Sequence, residues 1–323
     1  MIEFAILILK IAALISVVLL HVAYVVYFER KVIGHMQARM GPMRVGWHGL
    51  LQPIADGIKL FFKEDIMPAK ADKPIFYIAP VLGVVAALAS FAVIPFWEKF
   101  SVVNLDIGLL YILALSSVGS YSIILAGWAS NSKYSFLGGL RSSAQVISYE
   151  IAMGLSLVGV MMFAGSADLK QIVIAQSSLP FIFLQPIAFF VFVMAAIAET
   201  NRAPFDMPEA ETELVAGYAT EYSGMRFGLF FMAEYAGMFV MSALASVCFL
   251  GGWSGPDFWI FAHVPKVVWF LLKIYAFIFF YFWIRATLPR YRYDQLMSLG
   301  WKLFIPLALA NIVITALIKL LWV

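Results

Sequence analysis

The chain has 323 residues, 63% of them hydrophobic and 13% charged, with a formal net charge of +3. That charged share is about half the globular norm, and with a strongly positive mean hydropathy it excludes a soluble globular domain. The small net charge, with no run of Lys or Arg, argues against a nucleic-acid binder, and a lone Cys248 in an apolar run rules out a disulfide framework or a Cys-based cluster.

What remains is a polytopic membrane protein. A span needs about 20 apolar residues to cross a hydrocarbon core of roughly 30 Å. Eight segments meet this, at about 4–28, 75–96, 106–128, 145–164, 179–198, 229–250, 266–286 and 303–322. None shows the ten-residue alternation of a membrane barrel. The predicted fold is therefore an all-α polytopic membrane protein, a single membrane domain over 1–323. The first run is too long, and lacks the basic flank, to be a cleavable signal.

After the first span comes YFERKVIGHMQARMGPMRVGWHGLLQPIADGIKLFFKEDIMP. Gly41-Pro42 and Gly46 break the chain, so Glu29 to Trp47 reads as an irregular basic loop. Beyond it, Leu51, Ile54, Ala55, Ile58 and Phe62 recur at helical spacing, with Gln52, Asp56, Lys59 and Lys63 on a separate polar stripe. That pattern predicts an amphipathic interfacial helix in the first loop.

The fourth span begins near Glu150, in AQVISYEIAMG, and the sixth contains Glu234, in FFMAEYAGMF. An ionised acid at the centre of a span costs on the order of 2.5–3.5 kcal/mol, so both should point into the bundle. Their plain reading is a hydrogen-bonded tie between helices. Beside a glutamate-rich loop, a proton relay is the stronger one.

That loop, Glu199 to Gly224, reads ETNRAPFDMPEAETELVAGYATEYSG and holds Glu199, Asp206, Glu209, Glu211, Glu213 and Glu221, six of the chain's 19 acids. Pro208 with Glu209 and Glu211 predicts a helix start. On that helix Glu209 and Glu213 share a face with Gly217 and, further along, Glu221. Phe205, Leu214, Val215, Ala216 and Tyr218 are interleaved with the acids and argue for partial burial. Neighbouring buried carboxyls share protons and titrate as a set.

Loop charges give an orientation. The loops after spans 1, 3, 5 and 7, with their flanks, hold 16 of the 22 Lys and Arg, and the other three loops hold only Lys99, Lys170 and Lys266. By the positive-inside rule both termini are outside and the long loops 29–74 and 199–228 are cytoplasmic. Lys10, Lys273 and Lys319 lie within spans and read as snorkelling. Trp97, Trp128, Trp253, Trp269, Trp301 and Trp322 mark interfacial ends. There is no CxxC, phosphate loop or nucleophile elbow, and His21, His35, His48 and His263 lack the paired placement a haem would need. Electrons, or their energetic effect, must come from other subunits or a diffusible carrier.

Three stretches, ERKVIGHMQARMGP, GWASNSKYSFLGGLRSSAQVISYE and ETNRAPFDMPEAETELVAGYATEYSGMRFGLFFMAEY, resemble the signatures of the NADH-quinone oxidoreductase H subunits, the respiratory complex I family that includes mitochondrial NADH dehydrogenase subunit 1. The resemblance extends over essentially the whole chain. It implies a membrane subunit that forms part of a quinone channel and couples quinone reduction to proton pumping, without being catalytic alone. It implies no cofactor on this chain, with quinone as substrate and FMN and Fe–S clusters in partner subunits. The implied partners are soluble quinone-site and Fe–S subunits, membrane-arm subunits, quinone and lipid, in a bacterial inner membrane or its mitochondrial counterpart. Carried over by motif, Glu29, Arg30, Asp56, Lys59, Arg202, Phe205, Asp206 and Glu209 line or border the quinone channel. Glu150, Glu199, Glu211, Glu213, Glu221 and Glu234 form a buried glutamate path toward the pumping subunits. Two other readings stay open on sequence: a related membrane subunit of an energy-converting hydrogenase, and a stand-alone proton transporter.

Overall fold

The computed structural model of the chain describes residues 2–98, 100–207, 215–255 and 263–322. Among them the only regular structure is helical, and the protein is a polytopic all-α membrane protein. Among the described residues seven helices are long and apolar enough to cross a membrane.

The first helix, α1 (Ile2–Met36), is 35 residues long. At 1.5 Å per residue it reaches about 52 Å and overshoots the hydrocarbon core. It therefore runs on through Glu29 and Arg30, where the sequence predicted an irregular loop. No Pro interrupts it, and Gly34 is tolerated because the chain folds back over it: a Cβ there would lie 3.1 Å from the Arg39 carbonyl oxygen and 3.0 Å from the Gly41 nitrogen. The predicted amphipathic helix is α2 (Gln52–Phe62), with Pro53 in its first turn. None of its residues is buried by this chain, and Ile54, Ile58, Phe61 and Phe62 are exposed.

The hairpin of α3 (Lys73–Ser90) and α4 (Gly108–Ala129) follows, tied at its α2 end by the Asp72 N–H donating to the Ala129 carbonyl at 3.0 Å. Next comes α5 (Lys133–Ala164), which starts twelve residues before the predicted boundary at 145. Glu150 is thus at mid-helix instead of opening a span. Hydropathy missed the first turns because the face they bury against protein, Ser135, Gly138, Gly139 and Ser142, is built of Ser and Gly. A Cβ on Gly138 would come within 2.7 Å of the Gly217 backbone, and one on Gly127 within 2.8 Å of the Ser135 carbonyl oxygen.

The predicted fifth span is divided. A short α6 (Leu169–Ala175) and a single turn α7 (Phe181–Leu184) precede a break at Gln185 and α8 (Pro186–Glu199). With 14 residues α8 covers about 21 Å, so it falls outside the seven by length. Buried Gln185 holds the break by donating to the Gly159 carbonyl at 2.8 Å.

Helix α9 (Gly224–Phe249) is the axis of the core; from Tyr235 to Phe249 every residue except Gly237 is buried. A helix apolar on all sides belongs at the centre of a bundle. It is followed by α10 (Lys266–Thr287), α11 (Tyr293–Leu299), a π turn over Gly300–Phe304, and α12 (Ile305–Trp322). Two sequence expectations change here. Lys273 does not snorkel: its Nζ donates to the carbonyls of Leu250, Gly252 and Ser254 at 2.6–2.8 Å, where the unpaired carbonyls at the end of α9 attract a cation. Trp253 is buried in the same turn instead of facing an interface. Of the predicted helix from Pro208, residues 208–214 lie outside the described residues. Its continuation is a 3₁₀ turn over Gly217–Ala219, so Glu221 does not extend a helical ridge.

Candidate functional site

Directly after α8 the chain turns through Asn201, whose φ is 50°, and runs as a buried loop from Arg202 to Met207. Gln145, fully buried on α5, ties this loop to the end of α8: its Nε2 donates to the Ala198 carbonyl at 2.8 Å and the Phe205 carbonyl at 2.7 Å. The loop therefore keeps a defined shape without regular structure.

Arg202 is its centre. Nη1 donates to both oxygens of Glu29, at 3.2 and 3.3 Å. Its Nε lies 2.6 Å from Glu234 Oε1, an ionic contact without the alignment of a hydrogen bond. The guanidinium also stacks 4.2 Å from the Tyr235 ring centroid, and the Tyr235 hydroxyl donates to Glu29 Oε2 at 2.8 Å. Arg285, at the end of α10, pairs with the other Glu29 oxygen. Two carboxylates and two guanidiniums are thus gathered at the junction of α1, α9, α10 and the loop. Buried charges are tolerated only when paired in this way. Burial alone would lower the Arg202 pKa; Glu234, then Tyr235 and Glu29, outweigh it and hold it well above the ordinary arginine value.

Around this cluster stand the other predicted residues. Phe205 is fully buried between Tyr149, 5.6 Å away, and Tyr291, 5.7 Å away. Asp206 is buried and accepts from Arg290 Nη2 at 2.8 Å. Arg30 is not in the cluster: it projects from α1 toward α2 and pairs with Asp56 at 2.7 Å, which Gln52 also contacts at 2.9 Å. Lys59 is exposed on α2.

On its other side Arg202's partner Glu234 lines a cavity with about 120 Å³ of room for water. One water needs about 10–15 Å³ of such space, so the cavity admits several. Its walls come from α3, α4, α5, α9 and residues 199–201, and include Ser90, Ser116, Ser120, Ser122, Glu199 and Asn201. Glu199 Oε2 is buried there without a hydrogen-bond partner. Ser116 leads out of the cavity to Glu150, which accepts from Ser117 at 2.7 Å and from Ser116 at 3.2 Å. Glu221 is half-buried in the turn before α9. Glu209, Glu211 and Glu213 lie outside the described residues.

The structure thus joins Glu29 and Arg202, predicted for one role, directly to Glu234, predicted for another. Sequence reasoning missed Arg285, Arg290, Tyr235 and Gln145. The arginines had a signal: they sit together in IRATLPRYR, where they entered only the loop charge count. Tyr235 had adjacency to Glu234, and Gln145 had none beyond being a polar residue in an apolar helix. Among the described residues no group of His, Cys, Asp and Glu is arranged to hold a metal.

A family model described as NADH dehydrogenase matches residues 9–316. The chain is 56% identical to one of the NADH-quinone oxidoreductase H subunits of Geobacter metallireducens, over 96% of this chain and 94% of that one. It is 53% identical to an H subunit of the NADH-quinone oxidoreductase of Geobacter sulfurreducens, over 98% and 96% of the two chains. With the corresponding H subunit of Syntrophotalea carbinolica it shares 52% identity over 96% and 94%.

Proposed function

The chain belongs to the NADH dehydrogenase family, and on that premise we propose that it is the membrane-embedded H subunit of a proton-translocating NADH:quinone oxidoreductase. It acts inside the assembled complex, with FMN and Fe–S clusters in partner subunits that deliver electrons to quinone. It resides in a bacterial inner membrane with both termini outside, where its loop-bearing face docks the soluble subunits.

In this reading the quinone channel is bordered by Glu29, Arg30, Asp56, Lys59, Arg202, Phe205, Asp206 and Glu209. The observation that carries it is the position of Arg202. One guanidinium contacts Glu29 at 3.2 Å and Glu234 at 2.6 Å. Quinone reduction takes up two electrons and two protons, which changes the charge beside the loop. Any such change alters how Arg202 divides its attraction between Glu29 and Glu234, and with it the protonation of the acids at the cavity. The protein's own groups thus convert a charge change at one end into a proton shift at the other. Glu234, Glu199, Glu150 and Glu221 are the described members of the proton path, and Glu211 and Glu213 belong with them.

Photo-crosslinking with a quinone analogue in the intact complex, followed by peptide mapping, tests the channel. Labels are expected within 29–63 and 199–228; labels confined elsewhere in the chain overturn the assignment.

A further inference from the structure

Glycine within a helix weakens it relative to alanine, so it is usually retained where another backbone comes too close for a Cβ, as at Gly138. Gly119 on α4 and Gly237 on α9 differ: a Cβ at either would meet nothing within 4 Å. Both line the cavity that holds Glu199 and Glu234. The missing side chains are part of its empty space.

We propose that Gly119 and Gly237 are space-keeping residues of a water relay, holding open the room through which waters exchange protons between Glu234 and Glu199 and, by way of Ser116, reach Glu150. This rests on the proton-coupling role proposed above and adds the means by which the carboxyls communicate.

The cavity's accessible lining is mainly apolar, and water is held at the few polar groups that reach it. A buried water needs 2–4 polar partners. The Glu199 oxygen left without a partner supplies one, and the hydroxyls of Ser116, Ser120 and Ser122 supply others. The Ser120 hydroxyl donates to the Ser116 carbonyl, and the single Ser116 proton can turn to the Leu113 carbonyl or to Glu150, which leaves lone pairs on both hydroxyls to accept from water. In each exchange an O–H bond breaks at one carboxyl and another forms at the second. Every water between them gives up one proton and gains one, so no other reactant is needed. A methyl group at position 119 or 237 would enter that space with nothing within 4 Å of it.

The test uses the assembled enzyme in liposomes, with Gly119→Ala, Gly119→Leu, Gly237→Ala and Gly237→Leu. Gly154→Leu on α5 is the matched control, since a Cβ there also meets nothing within 4 Å and it does not line the cavity. Protons moved per electron are read beside quinone reductase turnover and thermal stability. The Leu variants are expected to lower the proton-to-electron ratio at least about twofold, the Ala variants less, and the control not at all. The Ala variants should also gain stability as coupling falls, whereas a purely structural role moves both together. Full coupling in the assembled Leu variants overturns the relay; where a Leu variant does not assemble, full coupling in the Ala variant does the same. Glu234→Gln separates the two levels. If it uncouples while the glycine variants do not, only the relay falls; if it too leaves coupling intact, the underlying proton path falls.

Discussion

Arg202 Nε lies 2.6 Å from Glu234 Oε1, and this contact ties a loop outside the spans to the helix at the centre of the bundle. The same guanidinium holds Glu29 on the first helix. Three segments distant in the chain meet on one cation, beside the cavity that Glu234 lines.

Removing that cation should be costly. Arg202→Ala leaves two buried carboxylates without their common partner, and breaking a buried pair costs about 3–5 kcal/mol. The expected outcome is loss of the assembled complex or a large fall in its thermal stability. Arg202→Lys keeps the charge but cannot span both acids with a planar fork, so assembly should recover while turnover stays low. Thermal unfolding and quinone reductase assays of the two variants check this.

The pH dependence has a definite sign. Arg202's folded pKa is raised above its unfolded value, so its contribution to stability is fully present below the unfolded pKa and is lost only as pH rises through the folded one. Across about pH 5 to 9 arginine stays protonated, and its contribution is constant. Stability or activity changes in that window must therefore come from other groups, and titrating Arg202→Lys beside the parent enzyme should give profiles of the same shape.

Tyr235→Phe removes one hydroxyl, the donor to Glu29 at 2.8 Å, and keeps the ring over Arg202. A hydrogen bond to a charged group contributes about 1.5–3 kcal/mol. The variant should assemble with lowered thermal stability, and a Tyr235→Phe, Glu29→Gln double-mutant cycle should show coupling between the sites. Additive effects would mean the bond contributes nothing.

Asp206 and Arg290 make a weaker test case, because Asp206 is buried while Arg290 is about half exposed. The pair should couple by on the order of 1 kcal/mol, between surface and buried values. Asp206→Asn and Arg290→Ala are each expected to raise the KM for quinone more than they lower kcat, with less than additive effects when combined.

Gly138→Ala tests the packing that holds the acidic segment. The added methyl would meet the Gly217 backbone at 2.7 Å, and overpacking costs typically about 1–3 kcal/mol. Reduced complex assembly on native gels is expected here, in contrast to Gly154→Ala, where space is open.

Most of the helical layout follows from hydropathy, because a lipid-facing helix must be apolar along its length. The errors are where one face of a segment packs against protein partners distant in sequence. The Ser- and Gly-rich start of α5 was too polar to register as part of a span, yet it packs against Gly217 and Gly127. The helical stretch through Glu29 read as the start of a loop because Gly41-Pro42 and Gly46 break the chain beyond it, while the partners of Glu29, Arg202 and Arg285, are far away in sequence. The shortened α8 is a third case, broken at Gln185, whose partner Gly159 belongs to another helix.

Sequence by itself determined that this chain crosses a membrane several times, that its acids gather between two spans, and that α2 is amphipathic. Each of these depends on the solvent around a segment, and composition and spacing record that directly. Only the tertiary structure decided that Glu29, Arg202 and Glu234 share one ion-pair cluster, and that Glu234 and Glu199 open on the same cavity. Those facts depend on which helices become neighbours, and an ion pair or a void forms only between side chains that the folded chain has already brought within a few ångströms.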